Sequence, residues 1–398
     1  MIRVEEATEI ILKYAPLIAP EDCLIDQANG RVLREMVHAD RDFPPFDRVA
    51  MDGIAIQFAV FQEGVRQFAV EGQVPAGQQP VAMQRRHGCL EVATGAALPE
   101  GADTVVPYEH INIEGGVAEI KTESVTYRQN IHHQGIDQKQ GTALLQTGNL
   151  IGPAEMAILA TVGKTKVSVS RKLRIAFVAT GDELVEPEAT PLPWQIRLSN
   201  PYALKSLLEG MPVQVDTFHC LDDFNVIKNL VKKILSEYDA LILSGGVSAG
   251  KRDYIPEILQ ACSVKILFHK VLQRPGKPLL FGQIQDGATV FGLPGNPVSA
   301  FMCTCKYVIP WIEKSQGLDN QSSEWAILQE SLEFKPDLTW FVPVRIENQL
   351  GILRAHPRPG HGSGDLANLQ AADGFLELPR GQDLYGAGAA YRLIRYRK

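Results

Sequence analysis

The sequence predicts an α/β multidomain protein: a central doubly wound, mostly parallel sheet, a β-rich insertion domain, an elongated N-terminal α/β part and a C-terminal β-barrel-like domain. Three observations lead there. The chain has 398 residues, enough for about two to four domains at roughly 100–200 residues each. Between residues 171 and 316, apolar strand-like runs alternate with segments of helical periodicity, the pattern of right-handed βαβ units. On both sides of that region short β-type runs are broken by glycine and proline.

The elements follow in chain order. Val4, Ala7, Ile10, Ile11 and Tyr14 recur at helical spacing with Glu5, Glu6, Glu9 and Lys13 between them, which predicts an amphipathic helix over 3–15 stopped by Pro16. From Asp42 to about Asp137, runs at 68–70, 89–92, 104–107 and 117–120 predict a small β domain. Residues 142–160 read as a short strand and a helix with Pro153 in its first turn; they are expected to rejoin the N-terminal helix, making the β domain an insertion. Residues 172–179 form an apolar strand followed by Thr180-Gly181-Asp182-Glu183, where Thr and Asp suit a helix cap. Further strands are expected at 213–219, 240–244, 265–272 and 289–292, and helices at 200–209, 225–236, 254–261 and 298–311. The polar stretch 315–323 marks a boundary, after which runs at 340–346, 374–378 and 390–396 alternate as strands. The expected domains are 1–42 plus 139–170, an inserted 43–138, the doubly wound 171–316, and 317–398.

Composition narrows the function. Lys and Arg number 39 against 46 Asp and Glu, for a net charge of −7. A general nucleic-acid binder needs a basic stripe, so that class is excluded, and any anionic ligand must be captured locally. No apolar run approaches the ~18 residues of a membrane span. Six cysteines without CxxC spacing form neither a disulfide framework nor a zinc site. Their usage, with an acidic N-terminus unlike a signal peptide, leads us to expect a cytoplasmic protein.

In an open parallel sheet, ligands bind outside the carboxyl ends of the strands, where helix N-termini offer free N–H groups. Three loops fall at such ends: Thr180 to Glu183; Ser244-Gly245-Gly246-Val247-Ser248-Ala249-Gly250 with Asp253 beyond it; and Pro294-Gly295-Asn296-Pro297-Val298-Ser299. The glycines permit close approach of backbone to a phosphate or pyrophosphate, although the spacing matches neither a P-loop nor a Rossmann fingerprint. Lys270, Arg274 and Lys277, in a frame stiffened by Pro275 and Pro278, supply the local cations, although a solvated basic turn reads equally from the sequence. In the insertion, Asp52-Gly53 reads as a hairpin turn or as part of a site, and Asp137 follows the polar run Asn130-Ile131-His132-His133. Scattered carboxylates suit a hard cation such as Mg²⁺ better than the two histidines suit a softer metal. Cys303 and Cys305, two apart on a helix, are expected to be buried apolar residues.

Taken in order, PPFDRVAMDG, ATGAALPEGADTVV, NIHHQGID, ATGDEL, LSGGVSAGKRDY, RPGKP, GLPGNPVSA, HGSG and ADGFLELPRG resemble the molybdopterin molybdenumtransferase family, which includes the molybdate-inserting domain of gephyrin. The resemblance spans nearly the whole chain. It implies insertion of molybdate into the dithiolene of adenylylated molybdopterin with release of AMP, Mg²⁺ dependence, a homodimer whose N-terminal part serves dimerisation, and transient contact with a molybdopterin adenylyltransferase. It implies catalytic roles for Asp52, Thr94, Asp137, Glu183 and Asp253. It places Lys270, Arg274 (where lysine is common) and Ser363 at molybdate. Ser199, Asn200, Gly245, Gly246, Ser248, Lys277, Pro294, Gly295, Asn296 and Ser299 fall at the pterin phosphate and adenylate, and Glu183, Asp222, Asp223 and Asp253 at Mg²⁺. With Asp52 and Thr94 on the insertion, it implies a site closed between domains of different subunits. Val49, Ile54, His132, Leu198 and the Lys251-Arg252 pair depart from the family pattern. The competing readings are nucleotidyl transfer like that of a molybdopterin adenylyltransferase, and a non-enzymatic scaffold like gephyrin.

Overall fold

Alternation within the strand Leu173–Thr180 shows why the middle of the chain forms a covered sheet. Ile175, Phe177 and Ala179 enter one buried cluster, Ala176 and Val178 the other, as a strand buried on both faces requires. The computed structural model describes residues 1–246, 254–318 and 323–397. Two compact units emerge: Met1–Arg34, Thr147–Pro153 and Lys166–Lys398 form the first, Glu35–Gln146 and Ala154–Thr165 the second.

In the first unit a six-stranded sheet runs in the order Val213–Cys220, Leu173–Thr180, Ala240–Ser244, Thr289–Leu293, Leu280–Gln283, Lys265–His269. The first four strands are parallel, and Leu280–Gln283 runs against both its neighbours. Helices Phe224–Glu237 and Ile255–Ala261 cover one face through Val231, Ile234, Ile258 and Leu259. The other face receives Val4, Ala7 and Ile11 of the helix Val4–Lys13, Leu204 of Asn200–Leu208, and Met302, Tyr307 and Trp311. The doubly wound sheet expected from the sequence is present. Among the described residues no helix is long and apolar enough to cross a membrane.

Four details differ from the sequence reading. The expected strand 265–272 stops at His269, because Lys270 takes φ +75° and turns the chain; Gln273–Arg274 then pairs with a different sheet. Leu280–Gln283 is an added antiparallel strand, too short to show a period of its own. The final helix runs further than 298–311, from Pro297–Cys303 through a π-turn at Thr304–Val308 into Ile309–Gln316. Its last residues, Ser315 and Gln316, are fully buried. Gln316 Nε2 donates to Arg171 O and Pro212 O, so the polar stretch begins as a packed joint and not as a linker. Finally, Thr180 to Glu183 caps no helix; it runs into the short strand Leu184–Val185, paired with Ile196–Arg197.

The strands Pro20–Leu24 and Lys166–Ser170 pair antiparallel in the same unit. After residue 322, the strands Thr339–Gln349, Ile352–Pro357, Glu324–Leu328, Ala390–Arg395 and Gly374–Leu378 close into a five-stranded barrel, the last strand pairing back to the first. Val342, Val344, Leu376, Leu378 and Leu393 fill it. Gln273–Arg274 adds to its edge, parallel to Thr339–Trp340.

The second unit is built on a mixed six-stranded sheet in the order Thr104–Pro107, Gly53–Ile56, Gly88–Val92, Gln67–Val74, Val117–Ile120, Ile111–Glu114. Every strand suggested by the sequence is there. Gly53 opens a strand instead of turning a hairpin: a Cβ on it would lie 2.0 Å from Val106 O, so glycine is needed for close strand contact. Val49 and Ile54, two of the departures from the family pattern, are wholly buried and fill core.

Candidate functional site

Parallel strands in register bring their carboxyl ends to one rim. Ala179 pairs with Ser244 and Ser244 with Leu293, so the loops after these strands lie side by side. Gly245 has φ +106°, and a Cβ there would stand 2.6 Å from Thr180 O; only glycine fits. Thr180 Oγ1 is buried with no partner among the described residues, as expected where a ligand completes a polar site. Asn200 Nδ2 donates to Ser244 Oγ at 2.9 Å and to Gly295 O at 2.8 Å, joining the helix start to two strand ends. Ser199 precedes that helix and its carbonyl receives Ala203 N–H at 3.0 Å. Gly245, Gly246, Asn200 and Gly295 thus form one cradle around Thr180, which the sequence reading had not assigned.

Beside the cradle the Pro294–Asn296 loop opens onto a cleft of about 650 Å³. Arg274, Lys277, Pro294, Asn296, Ser299 and Ser363 line it, as do Trp340 and Phe341 from the barrel and Phe334 from the segment before it. Asn296 Nδ2 donates to Ser363 Oγ at 2.7 Å, and Val298 N–H to Ser363 O at 3.1 Å, which pins the HGSG segment against the helix start. The Arg274 loop is anchored from below. Gln273 is fully buried, donates from Nε2 to Gly276 O at 2.9 Å, and accepts from Tyr307 OH. Gly276 has φ +87°, and a Cβ on it would be 2.6 Å from Cys303 Sγ. Burial pushes the Cys303 thiol up to about 12, and both Cys303 and Cys305 are buried, as expected. Lys270 is not part of the cleft lining; its amide and carbonyl bond to Leu279 O and Ile2 N.

Glu183 is exposed at the same rim, its carboxylate folded over Gly181. Asp222 N–H donates to Asp182 Oδ1 at 3.1 Å, so the two acidic turns meet. Asp223 has a structural task that the sequence reading missed: its Oδ1 accepts from Asn225 N and Val226 N and caps the helix Phe224–Glu237. Ser248 and Asp253 lie outside the described residues. Among the described residues no three His, Cys, Asp or Glu side chains are grouped to hold a metal.

The second unit carries its own polar cluster. Asp52 Oδ1 accepts from Thr94 N at 2.5 Å and Thr94 Oγ1 at 2.7 Å. The two histidines have different partners. His132 Nε2 is 3.0 Å from Asp137 Oδ1 and its Nδ1 is 3.4 Å from Arg48 Nη2; His133 faces Asp47 at 3.5 Å.

Three family descriptions match the chain: the MoeA N-terminal region (domain I and II) over residues 2–163, a probable molybdopterin binding domain over 176–314, and the MoeA C-terminal region (domain IV) over 326–391. The chain is 38% identical to a molybdopterin molybdenumtransferase of Synechocystis sp., covering 98% of this chain and 99% of that one. It is 33% identical to one of Staphylococcus epidermidis, covering 97% and 94%. The crystal structure of a molybdopterin biosynthesis MoeA protein from Pyrococcus horikoshii superposes with a TM-score of 0.84 at 30% identity, covering all of both chains.

Proposed function

Since the chain belongs to the molybdopterin molybdenumtransferase family, a family of transferases in molybdenum cofactor biosynthesis, we propose that it inserts molybdate into the dithiolene of adenylylated molybdopterin and releases AMP. One observation carries this reading. A cleft with two cations, Arg274 and Lys277, and the hydroxyls of Ser299 and Ser363 opens beside a glycine cradle whose buried Thr180 hydroxyl has no partner among the described residues. That pairs an oxyanion pocket with a phosphate cradle in a protein of net charge −7.

On this reading Arg274 and Ser363 hold molybdate, as the resemblance implies, and Lys277, which shares their cleft lining, joins them in place of Lys270, which does not line it. Gly245, Gly246, Ser248, Asn200, Ser199 and the Pro294, Gly295, Asn296, Ser299 loop hold the pterin phosphate and adenylate. Catalysis is then positional and electrostatic: molybdate is kept beside the two sulfurs, and fixed donors offset charge developing on the leaving phosphate. No protein nucleophile is needed.

The donor set also fits Mg²⁺. Its acidic turns offer hard oxygens only, and Mg²⁺ takes one or two carboxylates with the remaining ligands from phosphate and water. Glu183, Asp222 and Asp253 would hold it, with Asp223 contributing only the oxygen its cap leaves over. Bound there, the ion would neutralise charge on the pyrophosphate. We further propose a cytoplasmic homodimer with the four-part domain division drawn from the sequence, in which Asp52, Thr94 and Asp137 of the insertion serve the reaction. Transient contact with a molybdopterin adenylyltransferase would deliver the substrate.

The test is reconstitution. Purified protein, adenylylated molybdopterin, Mg²⁺ and molybdate should together activate a cofactor-free molybdoenzyme, and omission of molybdate should abolish it. Activation without this protein at the same rate would overturn the reading. Nucleotidyl transfer has no comparable support here, because the match extends through the insertion and the barrel as well as the central domain.

A further inference from the structure

We propose that Phe334 and Trp340 form an aromatic platform that holds the Arg274 guanidinium in place to receive the molybdate oxyanion. The inference rests on the proposed function and adds positioning residues to it. Arg274 and Trp340 are direct partners in the parallel pairing of Gln273–Arg274 with Thr339–Trp340, so backbone hydrogen bonding sets them side by side. The Phe334 and Trp340 rings stack with centroids 4.6 Å apart and planes 19° apart. Arg274 Cζ lies 5.8 Å from the Phe334 centroid, within the reach of a cation–π contact. All three residues line the cleft.

What makes this a receptor is that, among the described residues, the guanidinium has no hydrogen-bond or ion-pair partner. The acids that share its cleft are engaged elsewhere: Glu333 with Lys335 at 3.2 Å, and Asp365 with His361 N–H at 3.0 Å. Both ends of the platform are fixed, since Phe334 N–H donates to Asp383 O at 2.8 Å and Gln273, next to Arg274, is buried and hydrogen-bonded. A planar guanidinium resting on a ring keeps its donor fork open to an oxyanion and loses less freedom on binding than a free side chain. A lysine ammonium lacks that fork, so the platform and the arginine belong together.

The experiment measures molybdate affinity by calorimetry on the full chain, with the KM for molybdate and kcat from the complete reaction. Phe334→Leu should weaken molybdate roughly fivefold and raise KM with kcat nearly unchanged. Phe334→Tyr, which keeps the ring, should restore wild-type values and guards against a folding artefact. Arg274→Lys should weaken binding, and adding Phe334→Leu to it should change nothing more. Unchanged affinity in Phe334→Leu, or additive effects of the two substitutions, overturns the platform while leaving the proposed function intact. Absence of any molybdate uptake by the wild-type chain overturns both.

Discussion

Asp52 and Thr94 form a two-donor clasp: both the amide and the hydroxyl of Thr94 donate to the same carboxylate oxygen of Asp52. The backbone bond first, and the hydroxyl bond second, hold the Asp52 carboxyl below its usual range, although the residue is exposed. The sign follows from linkage. A depressed native pKa contributes stability that is present above the ordinary carboxylate pKa and is lost as pH falls through the lowered value. Thr94→Ala should therefore move the Asp52 pKa part of the way back up, as read by carboxyl NMR titration. A value unchanged by the substitution would show that the hydroxyl bond is not formed in solution.

Lys306 and Glu377 make a nearly buried ion pair at 2.8 Å, with side chains 9% and 11% exposed. Removing one partner strands a charge, so Glu377→Leu should destabilise the chain by about 3–5 kcal/mol, whereas Lys306→Met with Glu377→Leu should be close to neutral. Denaturant midpoints of the single and double variants decide this. Equal losses in both would mean the pair stabilises the joint on its own account.

Gly276 sits where a Cβ would meet Cys303 Sγ and Gln273 Nε2 at 2.6 and 2.8 Å, at φ +87°. Gly276→Ala should lower stability by about 1–3 kcal/mol through overpacking and backbone strain. It should also raise the KM for molybdate, because the shifted loop carries Arg274 and Lys277. Thermal unfolding and steady-state kinetics check the two effects separately.

Of the six cysteines, Cys89, Cys303 and Cys305 are deeply buried, and burial pushes the Cys89 and Cys303 thiols up to about 12. In native protein at mildly alkaline pH these three should resist alkylation for as long as the fold persists, while Cys23 and Cys262, only partly buried, react slowly. Mass spectrometry after a timed alkylation reads the order, and rapid labelling of Cys303 would contradict the buried helix packing.

Much of this molecule was legible in its sequence because local signals agreed with the tertiary result. The strand Leu173–Thr180 is apolar on both faces and the helix Val4–Lys13 has a clean apolar stripe, so each announced its burial. The glycine loops announced the rim for a related reason, since only glycine tolerates the approach of Gly245 to Thr180. What stayed hidden was decided by contacts between distant segments. Asp223 reads as a metal carboxylate until the helix it caps is seen. Gly53 reads as a turn until Val106 is placed against it. The Arg274–Trp340 pairing joins a two-residue strand to the start of a distant one with no shared pattern, and Thr180 became a candidate only once its hydroxyl was found buried with no partner among the described residues.

The central claim is tested most directly by following AMP release from adenylylated molybdopterin as molybdate is titrated, with Mg²⁺ present, for the wild-type chain and for Glu183→Ala. The account predicts release that rises and saturates with molybdate in the wild type and falls by at least about a hundredfold in the variant, which should remain folded because Glu183 is an exposed rim residue. Release that is independent of molybdate, or equal in the two proteins, would contradict it.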